Sequence, residues 1–391
     1  MLGALSALGP FSIDMYLPGF ADIARNLKTS VAVVGYSLTS YFIGIAVGQL
    51  VYGPITDRFG RKPPLLVGLA IYVAATVACA LSPTIALLIG SRLIMALGAG
   101  VGMVVSRAIV RDLFPVSEIS DVFSSFMLII AVSPILAPSA GGYIAATLGW
   151  RFIFLLLGTI AVVLLLVVLF RLAESKKPDT SIRLTFGAIT ARYVRVTRNR
   201  QFLTYALTAG LSSASTFAYI SGAPLVYMNL FHLSPTEFGW AFAANALGLI
   251  AGSQVSRLLV RRYPSKSITY AAVGAQLFLG ALLAAGGFFG VLPLPGVFAV
   301  VISFLFCAGL VGPNSAALAL GPFSSNAGSA SALLGCFQMA IGSLATMVVS
   351  TLANGTAFPM MATMWGSILL SYFLLVRARR RESSRRVVAV R

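Results

Sequence analysis

Long apolar runs recur along the whole chain, and short gaps between them hold almost all of its charges. Hydrophobic residues make up 58% of the sequence and charged residues only 10%, whereas soluble domains carry about 25% charge. A run of about 20 apolar residues is long enough to cross a bilayer as a helix. The pattern therefore predicts an all-α membrane protein of about twelve transmembrane helices, near 2–24, 32–53, 64–83, 84–108, 121–147, 151–172, 201–222, 237–260, 267–290, 296–320, 329–352 and 356–377.

The basic residues are distributed unevenly among the gaps. Of the 28 Lys and Arg residues, 24 fall in one alternating set of gaps and in the C-terminal tail. Cytoplasmic loops carry the excess of basic residues, so this alternation predicts an even number of spans with both termini in the cytoplasm. A net charge of +18 is also typical of nucleic-acid-binding proteins. Because these charges are confined to gaps between spans, we expect no nucleic-acid partner.

The longest polar gap lies near the middle of the chain and suggests two halves. We predict an N-terminal six-helix bundle at 1–172, a basic cytoplasmic linker at 173–200, a C-terminal six-helix bundle at 201–377 and a basic tail at 378–391. Part of the linker could form an amphipathic helix on anionic lipid, or remain a solvated connector. The first run begins at Leu2 without a preceding basic segment, so we interpret it as a span and not as a signal peptide.

Residues that carry enzyme chemistry are scarce. The sequence has a single histidine, His232, and neither a Gly-x-Ser-x-Gly elbow nor a P-loop lysine. Its three cysteines lie inside apolar runs, where they favour packing over a disulfide or a metal site. We expect no enzyme activity, no cofactor and no metal. A membrane-embedded enzyme or a non-transporting sensor are the less favoured alternatives from other functional classes.

Asp14 is the acidic residue that lies well inside a predicted span, and Arg92 is a basic residue inside another predicted span. A charge there costs at least about 2.5–3.5 kcal/mol unless it is paired or neutralised. From a helical rise of about 1.5 Å per residue, Asp14 lies roughly 17 Å from the inner face and Arg92 about 12 Å below the outer face. In a hydrocarbon core about 30 Å thick these two depths nearly coincide. The two side chains could therefore meet if spans one and four are neighbours. We predict a proton-coupling pair, with a static ion pair as the alternative.

Polar residues within spans are candidates for a ligand cavity. Such cavities combine apolar and aromatic walls with a few polar groups. Polar side chains in spans also bond neighbouring helices, so we expect about half of the candidates to face a cavity. The candidates are Tyr16, Tyr41, Gln49, Asn245, Asn314 and Gln338.

The gap after the second run carries the most specific motif. It reads GPITDRFGRKP from Gly53 to Pro63, with glycines that permit a tight turn and opposite charges close together at a helix end. This segment resembles the signature loop of the major facilitator superfamily. The resemblance implies the two-bundle fold of that superfamily. It also implies a cytoplasmic gate motif that latches the two halves, formed by Gly53, Asp57, Arg58, Gly60 and Arg61.

Three further segments narrow the resemblance within that superfamily. GPFSIDMYLP at 9–18 looks like the opening of the Bcr/CflA group of drug:proton antiporters. The segment from Ser91-Arg92 to Gly98-Ala99-Gly100 is similar to the basic motif of superfamily exporters, and SPILAPSAGG at 133–142 resembles the Pro/Gly-rich antiporter motif. The last segment differs from the general pattern, since Ser133 and Ala137 stand where many relatives have glycine before proline. The resemblance implies that this segment is the antiporter motif, with Pro134, Pro138, Gly141 and Gly142 as its residues.

The resemblance to the Bcr/CflA group also implies a function. It predicts proton-coupled efflux of chloramphenicol-like or bicyclomycin-like drugs across a bacterial inner membrane, with Asp14 as the proton carrier and Arg92 as the modulator of its affinity. The expected partners are a drug-like small molecule, protons and membrane lipid, with the chain acting as a monomer. The alternative is a proton-coupled metabolite exporter or importer of the same fold. Few buried charges argue against a strongly ionic cargo.

Overall fold

The computed structural model describes residues 1–114, 116–179, 186–323 and 327–389, and their side chains except at 111, 116–131, 186, 188–189, 192, 327 and 382–389. The described residues are helical throughout, with short connections. The α-helices are α1 (Leu2–Asp14), α2 (Phe20–Asn26), α3 (Val31–Phe59), α4 (Lys62–Ala80), α5 (Ile85–Leu113), α6 (Val116–Thr147), α7 (Trp150–Arg171), α8 (Phe186–Thr197), α9 (Arg200–Pro224), α10 (Pro235–Leu259), α11 (Ser265–Phe289), α12 (Leu294–Leu320), α13 (Ala327–Thr351) and α14 (Phe358–Ala389). A 3₁₀ turn covers Leu17–Gly19, and a π-helical turn covers Leu225–Leu230.

Each of the twelve predicted spans falls on helical structure. Within the described residues, eight helices are long and apolar enough to cross a membrane: α3, α4, α5, α7, α11, α12, α13 and α14. The other predicted spans, near 2–24, 121–147, 201–222 and 237–260, coincide with α1 and α2, α6, α9 and α10 respectively. The predicted all-helical membrane fold is confirmed.

The chain forms two compact units. Unit 1 comprises Met1–Arg192 and Ile220–Ala244, and unit 2 comprises Tyr193–Tyr219 and Asn245–Arg391. In unit 1, α5 packs closely on α1 and α3. A Cβ added at Gly102 would lie 2.6 Å from the Leu5 carbonyl oxygen of α1, and one added at Gly44 would lie 2.7 Å from the Leu93 carbonyl oxygen of α5. Small residues thus let these backbones touch. The division into six-helix halves at 1–172 and 201–377 stays a prediction.

Several helices extend beyond their predicted ends. The α3 helix continues beyond the predicted end at 53, through Pro54 to Phe59, so the turn before α4 is confined to Gly60 and Arg61. The α14 helix continues beyond the predicted end at 377. Residues 377–389 contain neither glycine nor proline and are rich in arginine, a strong helix former. The end of an apolar run indicates where the chain leaves the bilayer. The helix itself can continue beyond that point.

The linker between the predicted halves contains a helix of its own, α8. Phe186–Thr197 is helical, and its position on lipid or in solvent stays a prediction. Its basic residues include Arg195, in the last turn, where a cation interacts favourably with the helix dipole.

Candidate functional site

The first predicted span is broken at its acid. Helix α1 ends at Asp14, and the chain continues through the 3₁₀ turn into α2. Pro18 explains the position of this break, because a proline ring clashes with the carbonyl four residues earlier and supplies no N–H to it. The turn is closed by the Gly19 amide, which donates to the Tyr16 carbonyl oxygen at 3.1 Å. Asp14 therefore sits at a helix end in the interior of unit 1, and it is only 5% exposed.

Arg92 of α5 is fully buried beside this break. Its Nη1 donates a hydrogen bond to the Ser12 carbonyl oxygen at 2.9 Å. This carbonyl is among the last four of α1, which have no partner within the helix, and a cation there also interacts favourably with the helix dipole. The Arg92 Nε and Nη2 atoms have no hydrogen-bond partner in the described residues.

Aromatic rings and one sulfur atom provide further contacts of the Arg92 guanidinium, and its Nη1 lies 3.7 Å from Met95 Sδ. Its central carbon lies 4.2 Å from the ring centroid of Tyr41, 4.6 Å from that of Tyr16 and 5.9 Å from that of Phe154. A guanidinium near an aromatic face is attracted by the ring quadrupole, and desolvation strengthens this attraction to about 2 kcal/mol or more. One carbonyl, one thioether sulfur and three rings thus hold the Arg92 guanidinium in an apolar interior.

The expected contact between Asp14 and Arg92 is absent. No ion pair joins the two side chains in the part of the chain that the structure describes. Arg92 does reach the backbone of Ser12, two residues before Asp14. A comparison of depths takes no account of rotation about the helix axis, and residues two apart on a helix point in nearly opposite directions. The direct pairing is wrong for this conformation, and the proton-coupling role of the two residues stays a prediction.

Hydroxyl groups join α1 and the turn that follows it to neighbouring helices. The Tyr16 hydroxyl and Ser37 Oγ are 2.9 Å apart, and the Tyr41 hydroxyl donates to the Gly9 carbonyl oxygen at 3.3 Å. Ser12 Oγ lies 2.6 Å from the Tyr72 hydroxyl. Of the six residues predicted for a ligand cavity, the structure therefore brings Tyr16 and Tyr41 together around Arg92.

The other four predicted cavity residues lie in separate places. Gln49 is buried on α3, and Gln338 is half-buried on α13. Asn245 Nδ2 donates to the Tyr219 hydroxyl at 2.9 Å. Asn314 Nδ2 donates to Ser256 Oγ at 2.7 Å and to the Leu310 carbonyl oxygen at 2.8 Å. These two amides bond neighbouring residues within unit 2, as expected for a share of the candidates. A cavity role stays a prediction for all six.

Unit 2 contains a cavity of about 280 Å³ that the sequence analysis missed. Four hydroxyl side chains contribute to its lining, and the rest of the lining is apolar. The signal was present in the sequence as the short run SSAST at 212–216, which places several hydroxyls on one turn of α9. The lining residues are Ser212, Ser213, Thr216, Phe217, Leu249, Ser253, Ala308, Gly309, Gly312 and Pro313.

The predicted antiporter motif lies on α6 and fits against two other helices of unit 1. Pro134 and Pro138 are inside the helix. A Cβ added at Gly141 would overlap the Met15 carbonyl oxygen, directly after Asp14, and one added at Gly142 would overlap the Pro235 carbonyl oxygen of α10. The two glycines therefore allow α6 to touch both the broken end of α1 and the start of α10.

The loop between α3 and α4 is organised around the Arg61 side chain. Its Nη1 donates to Asp57 Oδ1 at 2.9 Å, and its Nε donates to Asp112 Oδ2 at 2.8 Å. Burial lowers the pKa of Arg61, but the hydrogen bonds and charges of Asp112 and Asp57 outweigh this and raise it above its ordinary value. Arg58 of the same motif instead lies over the Phe59 ring, 5.5 Å from its centroid.

Residues outside the predicted motif complete this network. Glu174 Oε1 accepts from the Arg61 backbone N–H at 2.7 Å, and Glu174 Oε2 accepts from the Lys62 backbone N–H at 3.0 Å. Lys176 Nζ lies 3.0 Å from Asp57 Oδ1. The sequence analysis missed Asp112, Glu174 and Lys176. Only ten acids occur in 391 residues, so an acid at the end of a span was the available signal.

Gly60 holds the turn that makes this network possible. Its φ of +86° is a conformation that side chains other than glycine rarely adopt. A Cβ there would also lie 2.7 Å from Glu174 Oε2. Gly53 differs, since a Cβ added at that position would meet nothing within 4 Å.

Comparison with known families decides the class of this protein. The family model described as Major Facilitator Superfamily matches residues 2–347. The chain belongs to the major facilitator superfamily. Membership of this superfamily agrees with the helical architecture and with the loop motif around Arg61.

Curated relatives within the superfamily match nearly the whole chain. An uncharacterised MFS-type transporter, YdgK of Bacillus subtilis, is 36% identical over 97% of this chain and 95% of its own length. A bicyclomycin resistance protein homolog of Haemophilus influenzae is 29% identical over 96% of this chain and 95% of its own length. The chloramphenicol resistance protein of Pseudomonas aeruginosa is 28% identical over 92% and 85%. These names support the predicted resemblance to the Bcr/CflA group.

A solved structure in the superfamily supports the fold. The crystal structure of a D-xylose-proton symporter has a TM-score of 0.71 and 15% sequence identity, covering 96% of this chain and 95% of that chain. At this identity the likeness shows the fold alone. The protein is a multi-pass membrane transporter of the major facilitator superfamily.

Proposed function

We propose that this protein is a proton-coupled multidrug efflux transporter, which exports amphipathic drug-like compounds by alternating access. The main observation that supports this proposal is the arrangement around Asp14, a nearly buried carboxyl at a break in the first span. Relatives named for resistance to bicyclomycin and chloramphenicol support the substrate class. The small number of charges inside the spans is consistent with amphipathic rather than strongly ionic cargo.

Asp14 is the proposed proton carrier. Its side chain is nearly buried, and no described ion pair neutralises it. A carboxylate in such surroundings is tolerated only while water or a cation reaches it. Alternating access would expose this carboxyl to one side of the membrane at a time. Protonation and drug binding would then favour different conformations and so be linked.

Arg92 is the proposed modulator of that carboxyl. It binds the carbonyl of Ser12, two residues before Asp14, so its charge is fixed within one helical turn of the acid-bearing residue. The described contacts of the guanidinium are with rings, a carbonyl and a sulfur atom and not with a carboxylate. A small rotation of the α1 end would then be sufficient to change how strongly Arg92 stabilises the charged form of Asp14.

We further propose a membrane location for the chain and a set of residues for its cytoplasmic gate. Both termini would lie on the cytoplasmic side of a bacterial inner membrane, which the basic loops and the tail support. The chain would act there as a monomer among lipid. The motif at Gly53, Asp57, Arg58, Gly60 and Arg61 would act as the cytoplasmic latch. Its described hydrogen bonds to Asp112 and Glu174 support this role, because they depend on one loop geometry.

Drug efflux driven by a proton gradient tests the proposal. Purified protein would be reconstituted into liposomes, and drug movement measured after a pH gradient is imposed. We expect Asp14→Asn to abolish gradient-driven movement while inserting normally. Asp22→Asn is the matched control, because Asp22 lies on α2 in an ion pair with Arg25, whose side chain is 78% exposed.

Two results would contradict the proposal. Unimpaired transport by Asp14→Asn would exclude the proton-carrier role. Gradient-driven accumulation in the opposite direction would instead indicate an importer of the same fold.

A further inference from the structure

A cavity of about 560 Å³ lies in unit 2, separate from the residues around Asp14. It is formed by the first turns of α9 and α11, the last turn of α12 and the basic part of α14. The charged residues of its lining are Arg200, Lys266, Arg377 and Arg381. The proposed transport cycle does not use any of them.

The cavity is strongly cationic. Three arginines and one lysine line it, from three different helices, and no acidic residue is among the described residues of its wall. Two of these helices, α9 and α11, begin here, and the N-terminal end of a helix carries partial positive charge. Arg200, Arg377 and Arg381 are exposed. Side-chain charges and helix dipoles therefore both favour an anion at this position.

The wall of the cavity changes from basic to apolar along both helices. On α9, Arg200 is followed by Leu203 and Leu207, at helical spacings of three and four residues that place them on one face. On α14, Arg381 and Arg377 share one face with Leu374 and, one turn further, Leu370, which is 61% exposed. Each helix thus presents a basic end that continues into an apolar stripe.

We propose that this cavity binds one anionic phospholipid. The four cations would hold the phosphate headgroup, and the acyl chains would lie along Leu203, Leu207, Leu374 and Leu370. Basic pockets between helices at the membrane interface are suited to such headgroups. A free phosphate would satisfy the cations but leave the leucine stripes without a function, so the stripes favour a lipid as the source of the anion.

The charge part of this proposal is tested by lipid binding to the full-length protein in detergent. Native mass spectrometry would measure the retention of phosphatidylglycerol and of phosphatidylcholine by wild type and variants. We expect phosphatidylglycerol to be preferred, and each of Arg200→Gln and Arg377→Gln to weaken its binding about five-fold, as for the loss of one cation near a headgroup. Arg262→Gln is the matched control, because Arg262 is an exposed arginine of the α10–α11 loop outside the cavity.

The apolar part is tested with a soluble headgroup. Glycerol 3-phosphate carries the anion without acyl chains, and its binding would be measured by calorimetry beside that of phosphatidylglycerol. We expect Leu374→Ser to weaken phosphatidylglycerol binding while leaving the soluble headgroup unchanged. Equal binding of the two ligands by wild type would assign the site to a free anion and overturn the lipid proposal. Equal retention of phosphatidylglycerol by Arg200→Gln, Arg377→Gln and Arg262→Gln would also overturn it. Neither readout depends on transport, so the result is independent of the proposed efflux.

Discussion

Arg92 shows how a basic side chain can be held in an apolar interior although none of the described ion pairs includes it. Its guanidinium has one carbonyl acceptor and lies within 6 Å of three aromatic centroids. A planar guanidinium stacks on rings and is more weakly hydrated than an ammonium, so a lysine would not reproduce these contacts. The shape of the cation matters here as much as its charge.

Substitution of Arg92 by lysine tests this interpretation. We expect Arg92→Lys to lower stability by about 1–2 kcal/mol, the scale of a buried cation–π contact. Thermal unfolding in detergent would measure the loss, with gradient-driven transport as the second readout. Arg25→Lys is the control, because the Arg25 side chain is 78% exposed. Equal melting temperatures for the two variants would show that charge alone is sufficient.

The residues around Arg92 also show the limits of prediction from sequence. The sequence identified Asp14, Arg92, Tyr16 and Tyr41, because polar side chains inside apolar runs are conspicuous. It did not identify the contact between Arg92 and the Ser12 carbonyl oxygen. Helical rise gives the depth of a residue in the membrane, whereas its partner depends on rotation about the helix axis and on where Pro18 breaks the helix.

At the scale of elements, α1, α5 and α6 form the framework of the site. The end of α1 carries Asp14, α5 carries Arg92, and α6 approaches the Met15 carbonyl oxygen through Gly141. Any side chain at 141 would push α6 away from the break in α1. The position of Asp14 therefore depends on a contact made by its neighbour.

Gly141→Ala is expected to displace α6 from the end of α1. We expect a loss of stability of about 2–3 kcal/mol, the scale of overpacking in a close-packed interior, and reduced transport. Gly90→Ala on α5 is the matched control, since a Cβ there meets nothing within 4 Å and alanine is the better helix former by up to about 1 kcal/mol. Thermal unfolding of the two variants would measure the difference. A Gly141→Ala protein as stable as Gly90→Ala would show that the helices can separate without penalty.

The elements themselves were largely predictable from the sequence, whereas their ends were not. Apolar runs located each span, but α3 and α14 continue as helices beyond the runs. Hydropathy responds to the solvent around a helix, while helix ends depend on local signals. One such signal is Ser234, whose Oγ and backbone N–H both contact Glu237 Oε2 before α10.

At the scale of the whole molecule, the α3–α4 loop is the proposed latch of the transport cycle. Arg61 contacts Asp57 and Asp112, and Lys176 contacts Asp57 from the linker. These charges come from distant parts of the sequence, which is why the loop motif alone did not reveal Asp112, Glu174 and Lys176. Pairing across distant segments is a property of the fold and not of a local pattern.

The Asp57→Ala variant tests whether Asp57 acts in the latch or in drug binding. We expect transport to slow about ten-fold, which corresponds to roughly 1.4 kcal/mol in the barrier. Equilibrium drug binding should remain within about two-fold of wild type, because Asp57 contacts Arg61 and Lys176 in the loop network. Asp22→Ala serves as the control. Loss of equilibrium drug binding in Asp57→Ala would contradict the latch assignment.

The most direct test of the proposed mechanism is the number of protons released when the drug binds. Purified protein in weakly buffered detergent would be mixed with saturating drug, and the pH followed with an indicator. The mechanism predicts proton release by wild type and by Asp22→Asn, and none by Asp14→Asn that still binds the drug. Equal proton release by Asp14→Asn and wild type, or none by wild type at any pH, would contradict proton exchange at Asp14.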